Sequence, residues 1–349
     1  KQYHVHVLGD ESLDSDVTGI QAFTYDSKKE IYDEFYKADL AFVSVGGNHL
    51  PAAAQSVADI INTYGAQKVV KNIIVCENWK DAAETFKKPL MEALNEENRK
   101  IFEEYVGISE AVLMRTATQP DEELAKKYPQ DVWVQNFWYL PIDKSRLKGE
   151  IPEIKSVELM DHFGNFLTQK MYTNNTSNAV IAYTGYLLGY DILADAANSP
   201  EIQKLLDGAY KEINQTLEAE LGVDPEQQEA FAKKARAKYC DRVIVDKVIR
   251  HAKDPIRKLG PQDRLVAPCR MALKHGIYPK TLIDTIAKAL YFDEPTDESA
   301  MKLKEMRQTH GIEYVLQNVC EMDKDESLYA EVLKSVEELK EQGMVKGHE

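Results

Sequence analysis

A lysine and two asparagines stand at the start of a largely apolar segment, and side chains of these types could carry acid–base chemistry. Asn175 and Asn178 follow Lys170, and apolar residues dominate from Ala179 onward. On an unbroken helix that turns by about 100° per residue, Asn178 and Asn175 lie roughly 80° and 140° from Lys170. The three groups could then share one surface around a polar ligand, because buried amides and ammonium groups need partners. The alternative is a solvated helix start with asparagine caps.

Glycines and amides follow two segments that read as buried strands. Residues 41–45 and 69–76 are short and apolar, and residues 50–64 between them have helical periodicity. Strand–helix–strand is the unit of a parallel sheet, and ligands of such sheets bind beyond the carboxyl ends of the strands. The alternative for the glycine pair is an ordinary turn. The predicted cofactor contacts are Gly46, Gly47, Asn48 and Asn78.

A third group of candidate residues is cationic. Arg257, Lys258 and Arg264 lie within eight positions of one another. Arginine forks bind phosphate through two parallel hydrogen bonds, so this group predicts a site for a phosphorylated substrate. The alternative is that Arg264 forms a structural ion pair with Asp263.

The spacing of Lys170 and Asn175 resembles the active-site helix of the mannitol dehydrogenase family, the polyol-specific long-chain dehydrogenases, where it reads Lys-x4-Asn-x2-His. Asn178 occupies the position of the family's His, which is a departure. Further stretches are similar to the sugar-phosphate branch of that family, in the same order and over most of the chain. They are residues 3–11, 16–20, 72–78, 257–259 and 263–265.

The resemblance implies an α/β fold, with a truncated Rossmann-type parallel-sheet domain at residues 1–151 and a mostly α-helical substrate domain at residues 152–349. It implies NAD as cofactor and the interconversion of D-mannitol 1-phosphate and D-fructose 6-phosphate without zinc. Lys170 would be the acid/base, Asn175 an oxyanion donor and Asn178 a substrate contact. The alternatives are another polyol phosphate, a uronate, or a non-catalytic binding module.

The glycine-rich phosphate loop of dinucleotide-binding folds does not occur in this sequence. No G-x-G-x-x-G is present, and the pair Gly46-Gly47 lacks the third glycine. The residues from Lys1 onward match a point downstream of that loop in the family. The expectation is that roughly 40–50 residues, one βαβ unit, are absent from the amino end. The choice between NAD and NADP stays open, because the acid or arginine that decides it would belong to that unit.

Composition narrows the classes of partner. The 349 residues carry a net charge of −15, which argues against nucleic acid and anionic membrane surfaces as partners. No apolar run approaches the ~20 residues of a membrane span. The four cysteines form no zinc-type pair, and they fit a reducing cytoplasm. His4 and His6 share a strand face, but no third ligand is apparent, so no metal site is expected. The resemblance implies a monomer.

Further elements follow from periodicity. Residues 111–115 and 133–140 are predicted as two more strands, and a cluster of Pro and Gly at residues 141–152 marks a domain boundary. Beyond it, helical patterns dominate. The predicted helices are residues 157–174, 177–193, 200–220, 225–239, 280–291 and 327–342.

Overall fold

The computed structural model describes residues 2–79, 81–118, 120 and 122–345, and the chain divides into two compact units, Lys1–Gly164 and Asn165–Glu349. The first unit is α/β. Its strands are β1 (Tyr3–Leu8), β2 (Ser15–Val17), β3 (Leu40–Val43), β4 (Lys71–Cys76), β5 (Val106–Ala111), β6 (Ala117–Thr118), β7 (Val132–Gln135), β8 (Leu140–Asp143) and β9 (Val157–Met160). Its helices are α1 (Lys28–Lys37), α2 (Leu50–Tyr64), α3 (Ala82–Ala93), α4 (Glu96–Tyr105) and α5 (Glu122–Lys127).

The strands of the first unit form two mixed sheets. One has the order β3-β4-β5-β8-β9, and its first three strands run parallel. The other has the order β2-β1-β7-β6, with β1 parallel to β7 and antiparallel to β2. The predicted strand–helix–strand unit is confirmed as β3, α2 and β4, and the predicted helix boundaries of α2 agree with the structure.

Strand β4 is buried on both faces, as expected for the centre of a covered parallel sheet. Ile73 and Val75 pack in one apolar cluster with residues of α2, α3 and α4. The alternate residues Ile74 and Cys76 pack in a second cluster with Ile142 on the other face. This sheet core fixes where β3 and β4 end, and so where the predicted cofactor contacts begin.

The strand predicted at residues 111–115 is wrong, because β5 lies at Val106–Ala111. Polar residues interrupt that run in the sequence, yet each has a partner inside the fold. The hydroxyl of Ser109 donates to the carbonyl of Asp143 over 2.6 Å. A Cβ on Gly107 would lie 2.1 Å from the side-chain oxygen of Asn72, so only glycine fits there. Local hydrophobicity misplaced the strand because tertiary partners compensate its polar groups.

Two other predicted elements need correction. Residues 133–140 are not one strand, since β7 and β8 belong to different sheets and the chain turns between them. The helix predicted from residue 157 begins instead at Phe163, because Val157–Met160 pairs in parallel with β8. His162, at φ 55°, separates that strand from the helix.

The second unit is helical. Its helices are α6 (Phe163–Lys170), α7 (Ser177–Leu187), α8 (Leu193–Ala197), α9 (Pro200–Leu221), α10 (Pro225–Cys240), α11 (Val248–Ala252), α12 (Pro255–Lys258), α13 (Val266–Lys274), α14 (Lys280–Ala289), α15 (Glu298–His310), α16 (Ile312–Asn318) and α17 (Ser327–Glu341). A π-helical turn, Met171–Thr176, joins α6 to α7. The predicted fold class, a Rossmann-type sheet domain followed by a mostly helical domain, is confirmed.

Helix α7 is the central element of the helical unit. Val180, Ile181 and Ala182 are fully buried, and the helix packs against α9, α11 and α14. A Cβ on Gly185 would lie 2.9 Å from that of Ala196, so glycine permits the close approach of α8. Within the described residues, no helix has both the length and the apolar character needed to cross a membrane.

Candidate active site

Lys170 is the last residue of α6 and lies directly before the π-helical turn. The turn is rich in Thr and Asn, whose side chains compete with the backbone for helical hydrogen bonds. Ser177 Oγ donates to the carbonyl of Thr173 over 2.6 Å, and the Tyr239 hydroxyl donates to that of Asn174 over 2.9 Å. These contacts satisfy carbonyls in the irregular turn. Such π turns inside α-helices occur frequently at functional sites.

The π turn changes the angles expected for an unbroken α-helix. Its hydrogen bonds run from residue i to i+5, so each residue turns by less than about 100°. Five residues therefore come closer to one complete turn, and Asn175 lies nearer to the face of Lys170 than the sequence predicted. A spacing of five residues, which separates Lys170 and Asn175 widely on an α-helix, therefore brings them closer together on this π-helical segment.

Burial and neighbouring cations lower the pKa of Lys170 to about 8; burial contributes most, followed by Arg264 and Lys238. Both effects disfavour the ammonium form. Among the described residues, no carboxylate raises the pKa of Lys170 to offset these effects. Lys170 therefore exists in both protonation states near neutral pH, as a general acid/base requires.

The two predicted asparagines have different surroundings. Asn175 is partly exposed, and the one hydrogen-bond partner of its Nδ2 among the described residues is the weakly accepting sulfur of Met171, at 3.1 Å. Asn178 is buried, and its Nδ2 lies 2.9 Å from Nδ1 of His251. Asn175 thus has an amide that can donate to a ligand. Asn178 is held by a residue 73 positions away along the chain.

His251 is itself held from its other side. Its Nε2 lies 2.8 Å from Oδ2 of Asp246, which also accepts from Arg250 over 2.7 Å. Burial opposes ionisation of Asp246, but hydrogen bonds and charge from His251 and Arg250 hold its pKa below the ordinary value. Asp246, His251 and Asn178 form a hydrogen-bonded chain in which Nε2–H donates to the carboxylate and Nδ1 accepts from the amide. An imidazole therefore adjoins the position where the family has a histidine, but it comes from α11.

The predicted phosphate residues form a connected cluster. Asp263 pairs with Arg257 Nη1 over 3.0 Å and with Arg264 Nε over 2.8 Å, so the ion pair considered as an alternative exists. Arg257 also pairs with Asp254 over 2.6 Å. For Nη1 and Nη2 of Arg264, no acceptor occurs among the described residues. The free edge of this guanidinium can bind an anion while Asp263 orients the other edge.

Lys258 was predicted to contact the substrate phosphate, but in the structure its side chain binds a backbone carbonyl. It is buried, and its Nζ donates to the carbonyl of His251 over 2.5 Å. Burial, together with Arg264 and Arg257, lowers its pKa to about 7. Lys258 thus braces the chain beside His251. Arg257 and Arg264 have the better geometry for an external phosphate.

In the first unit, the predicted cofactor contacts lie at the carboxyl ends of β3 and β4. The N–H groups of Val45 and Gly46 donate to Oε1 of Glu77 over 2.7 and 2.6 Å, which ties the two strand ends together. A Cβ on Gly47 would lie 2.2 Å from the ring of Trp79, so the turn needs glycine there. Glu77 occupies the turn's N–H groups, whereas Asn48 and Asn78 are exposed. These two amides can contact a cofactor beyond the strand ends.

Comparison with known proteins identifies the family. The model of the mannitol dehydrogenase Rossmann domain matches residues 1–156, and that of the mannitol dehydrogenase C-terminal domain matches residues 162–340. The chain belongs to the mannitol dehydrogenase family. A mannitol-1-phosphate 5-dehydrogenase from Bacillus subtilis (strain 168) is 32% identical over 338 residues, which cover 96% of this chain and 88% of the relative.

Two solved structures share the fold of this family member. D-sorbitol dehydrogenase in substrate-free form has a TM-score of 0.80 at 14% identity, covering 99% of this chain and 83% of that one. Pseudomonas fluorescens mannitol 2-dehydrogenase, in ternary complex with NAD and D-mannitol, has a TM-score of 0.71 at 14% identity, covering 99% and 82%. At this identity the likeness shows the fold.

Sequence reasoning missed three residues that the structure adds to the candidate site. Asp246 and His251 lie far from Lys170 in the sequence, and only the packing of α11 on α7 brings His251 to Asn178. The charge of Lys238, on α10, helps to lower the pKa of Lys170. No spacing in the sequence signals these contacts. The available signal in the sequence was Asn178 in the family's His position, because an imidazole missing there can be supplied by another segment of the chain.

Proposed function

We propose that this member of the mannitol dehydrogenase family is an NAD-dependent oxidoreductase that interconverts D-mannitol 1-phosphate and D-fructose 6-phosphate. The observation that carries the proposal is Lys170 beside a π turn, with its pKa lowered to about 8 by burial and by Arg264 and Lys238. The Bacillus subtilis relative bears the name of this activity. In the proposal, the Rossmann-type domain at residues 1–151 binds NAD, and the helical domain at residues 152–349 binds the sugar phosphate.

Lys170 acts as base when the alcohol is oxidised and as acid when the ketone is reduced. In oxidation, neutral Nζ takes the hydroxyl proton, and NAD, when bound, supplies the hydride acceptor. The Asn175 amide donates to the substrate oxygen, where negative charge develops. In reduction, the ammonium form of Lys170 returns the proton to that oxygen. These steps require no metal ion to polarise the oxygen.

Asn178 positions the substrate, and His251 positions Asn178. The contact of 2.9 Å between Asn178 and His251 leaves the amide oxygen of Asn178 to accept from a substrate hydroxyl. Asp246 fixes the tautomer of His251 and so the direction of that amide. His251 is therefore a positioning residue whose effect on the reaction passes through Asn178.

The substrate phosphate binds Arg264 and Arg257. The protein carries a net charge of −15, so binding a dianion requires a local excess of cations. Arg264, Lys170 and Lys238 supply that excess around the π turn. Phosphate on Arg264 also weakens the field of this cation at Lys170, so the bound substrate raises the pKa of the base. Lys258 supports the cluster from within.

NAD contacts lie at the carboxyl ends of β3 and β4. The exposed amides of Asn48 and Asn78 fit a ligand rich in hydroxyl and amide groups, and Gly46 permits close backbone approach, whereas the ring of Trp79 fills the space at Gly47. The carboxylate of Glu77 already occupies two N–H groups of this turn. A phosphate is therefore disfavoured at the turn, and a ribose or carboxamide is favoured.

A substrate panel tests the proposed function. The purified protein is assayed for NADH oxidation with D-fructose 6-phosphate, D-fructose and a hexuronate. We expect fructose 6-phosphate to have by far the highest kcat/KM. Lys170→Met should remove the activity, whereas Lys233→Met, at an exposed lysine of α10, should retain it. Equal use of fructose and fructose 6-phosphate, or preference for the uronate, would contradict the substrate assignment.

A different polyol phosphate is the second candidate substrate. The observation that favours it is Asn178, because an amide in place of the family's histidine alters hydrogen bonding to one hydroxyl. Comparing D-mannitol 1-phosphate with D-sorbitol 6-phosphate in the oxidation assay decides between them. The monomeric state and the cytoplasmic location expected from the sequence stay predictions.

A further inference from the structure

The face of β1 carries two histidines that meet a carboxylate from the adjoining turn. His4 and His6 alternate along the strand and so point to one side. Asp14, just before β2, places Oδ2 3.5 Å from His4 Nε2 and 3.4 Å from His6 Nδ1. The three ligand atoms all lie within 4.8 Å of one another. The structure thus supplies the third ligand that was not apparent from the sequence.

The two distances from Asp14 to the histidines are longer than strong direct hydrogen bonds and leave room for a shared small cation. Charge-assisted hydrogen bonds between nitrogen and carboxylate are about 2.7–2.9 Å long. Zinc ligands lie about 2.0–2.1 Å from the metal, so two ligands of a tetrahedral ion are about 3.3–3.4 Å apart. Ligands at right angles around an octahedral ion of this size would be about 2.9 Å apart. The observed 3.4 and 3.5 Å, two of the three distances between the candidate ligand atoms, are close to the edges of a tetrahedron.

Each histidine binds a second carboxylate through its other ring nitrogen. His4 Nδ1 lies 2.8 Å from Asp16 Oδ1, and His6 Nε2 lies 3.3 Å from Asp131 Oδ2. Histidines that bind metals almost always donate their outer N–H to such a partner, which fixes the tautomer. With the protons on the outer nitrogens, both inner lone pairs face Oδ2 of Asp14. A positive charge must lie between these groups, either a metal ion or protons on the rings.

The groups around this cluster are held in place by the sheet. The N–H of Val7 donates to Asp14 Oδ1 over 2.7 Å, and the N–H of His4 donates to Asp131 Oδ1 over 3.0 Å. The ring of His6 stacks on Trp133 of β7, with ring centroids 4.5 Å apart. Ligands and outer carboxylates are therefore oriented before any ion binds, which lowers the cost of binding.

We propose that His4, His6 and Asp14 form a binding site for a divalent transition metal ion, with Zn²⁺ as the preferred ion. Three protein ligands leave one position of the tetrahedron for water. Asp16 and Asp131 are the outer partners of the histidines. The ion links β1 to the segment before β2, and Asp131 extends the network to the start of β7. Its role is to stabilise this sheet.

Zinc titration of protein treated with a chelator tests the site. By calorimetry, we expect the wild type to bind one Zn²⁺ per chain that His6→Ala and Asp14→Asn do not bind. His310→Ala, at an exposed histidine of α15, should bind as the wild type does. Asp131→Asn leaves the three ligands intact and should weaken binding by about 10–100-fold. Bound Co²⁺ should show the visible absorption of a tetrahedral site in the wild type, and this absorption should be absent from His6→Ala and Asp14→Asn.

Thermal unfolding distinguishes a bound metal ion from protonated histidine rings as the positive charge in this cluster. Zn²⁺ should raise the Tm of the wild type and of His310→Ala, because it binds only the folded sheet. The same zinc stoichiometry in wild type and His6→Ala would overturn the proposal. So would a Tm that zinc leaves unchanged while acidification raises it, since imidazolium rings would then hold Asp14. Circular dichroism of each variant establishes that it is folded. Asp131→Asn adds a test in which all three metal ligands remain and only the affinity for zinc should fall.

Discussion

Replacing Arg264 by Gln removes the cation that, after burial, does most to lower the pKa of Lys170. Burial is the largest of three causes that lower this pKa from 10.5 to about 8, so Arg264 accounts for less than half of the change. The pKa in Arg264→Gln should therefore rise to at most about 9. Near pH 7 the neutral fraction of Lys170 then falls from about a tenth to no less than about a hundredth.

The expected result is a loss of up to about tenfold in base-dependent oxidation near pH 7 that disappears near pH 10. The assay is NADH formation from unphosphorylated D-mannitol, followed as kcat/KM, so that loss of a phosphate contact does not enter. Arg264→Lys keeps the charge and loses the fork. It should leave the pH profile in place.

An unchanged pH profile in Arg264→Gln would refute the reasoning, because Arg264 would then exert no field on the base. A profile that shifts equally in Arg264→Gln and Arg264→Lys would also refute it. Such a shift would assign the effect to lost packing around Asp263 and not to lost charge.

Three further predictions concern neighbouring residues. Arg257→Ala should weaken fructose 6-phosphate by about one to two decades in kcat/KM, at roughly 1.5–3 kcal/mol per charged hydrogen bond, and leave fructose unchanged; equal losses would make Arg257 structural. His251→Ala should lower kcat about tenfold with little change in Tm, and His251→Gln should restore part of it; a fall in Tm alone would deny its positioning role. Lys258 has a folded pKa of about 7, against 10.5 unfolded, so the unfolded chain binds more protons between these values and wild-type stability rises with pH there. Denaturant unfolding should show a smaller rise in Lys258→Met, because Lys170, with a folded pKa of about 8, still contributes; an equal rise in both proteins would contradict the prediction.

The sequence was sufficient to predict the parallel centre of the sheet domain. An apolar run closed by Gly46 and Gly47 located β3, although this strand is only partly buried and not buried as predicted, and a second apolar run located β4, which is buried throughout. It failed at β5, where Gly107, Ser109 and Glu110 are stabilised by partners from distant segments. Hydrophobic periodicity detects strands whose neighbours are apolar, and it misses those whose polar groups find partners through tertiary structure.

The candidate site was predictable as residue types but not as geometry. The Lys-x4-Asn spacing identified Lys170 and Asn175, yet its meaning depends on the π turn, which helical periodicity at about 3.6 residues per turn does not register. His251 and Asp14 were missed for a shared reason. Each reaches its partner across a fold contact, at Asn178 through helix packing and at His4 and His6 through the β1–β2 connection.

The central claim is that Lys170 is the base for oxidation of D-mannitol 1-phosphate. The most direct test is the pH dependence of kcat/KM for this reaction with NAD, measured for the wild type, Lys170→Met and Lys233→Met. The account predicts that wild type and Lys233→Met share a limb that rises with pH to a plateau above about pH 8. Lys170→Met should be at least ~10²-fold slower and lack that limb. The same limb and rate in Lys170→Met would contradict the account.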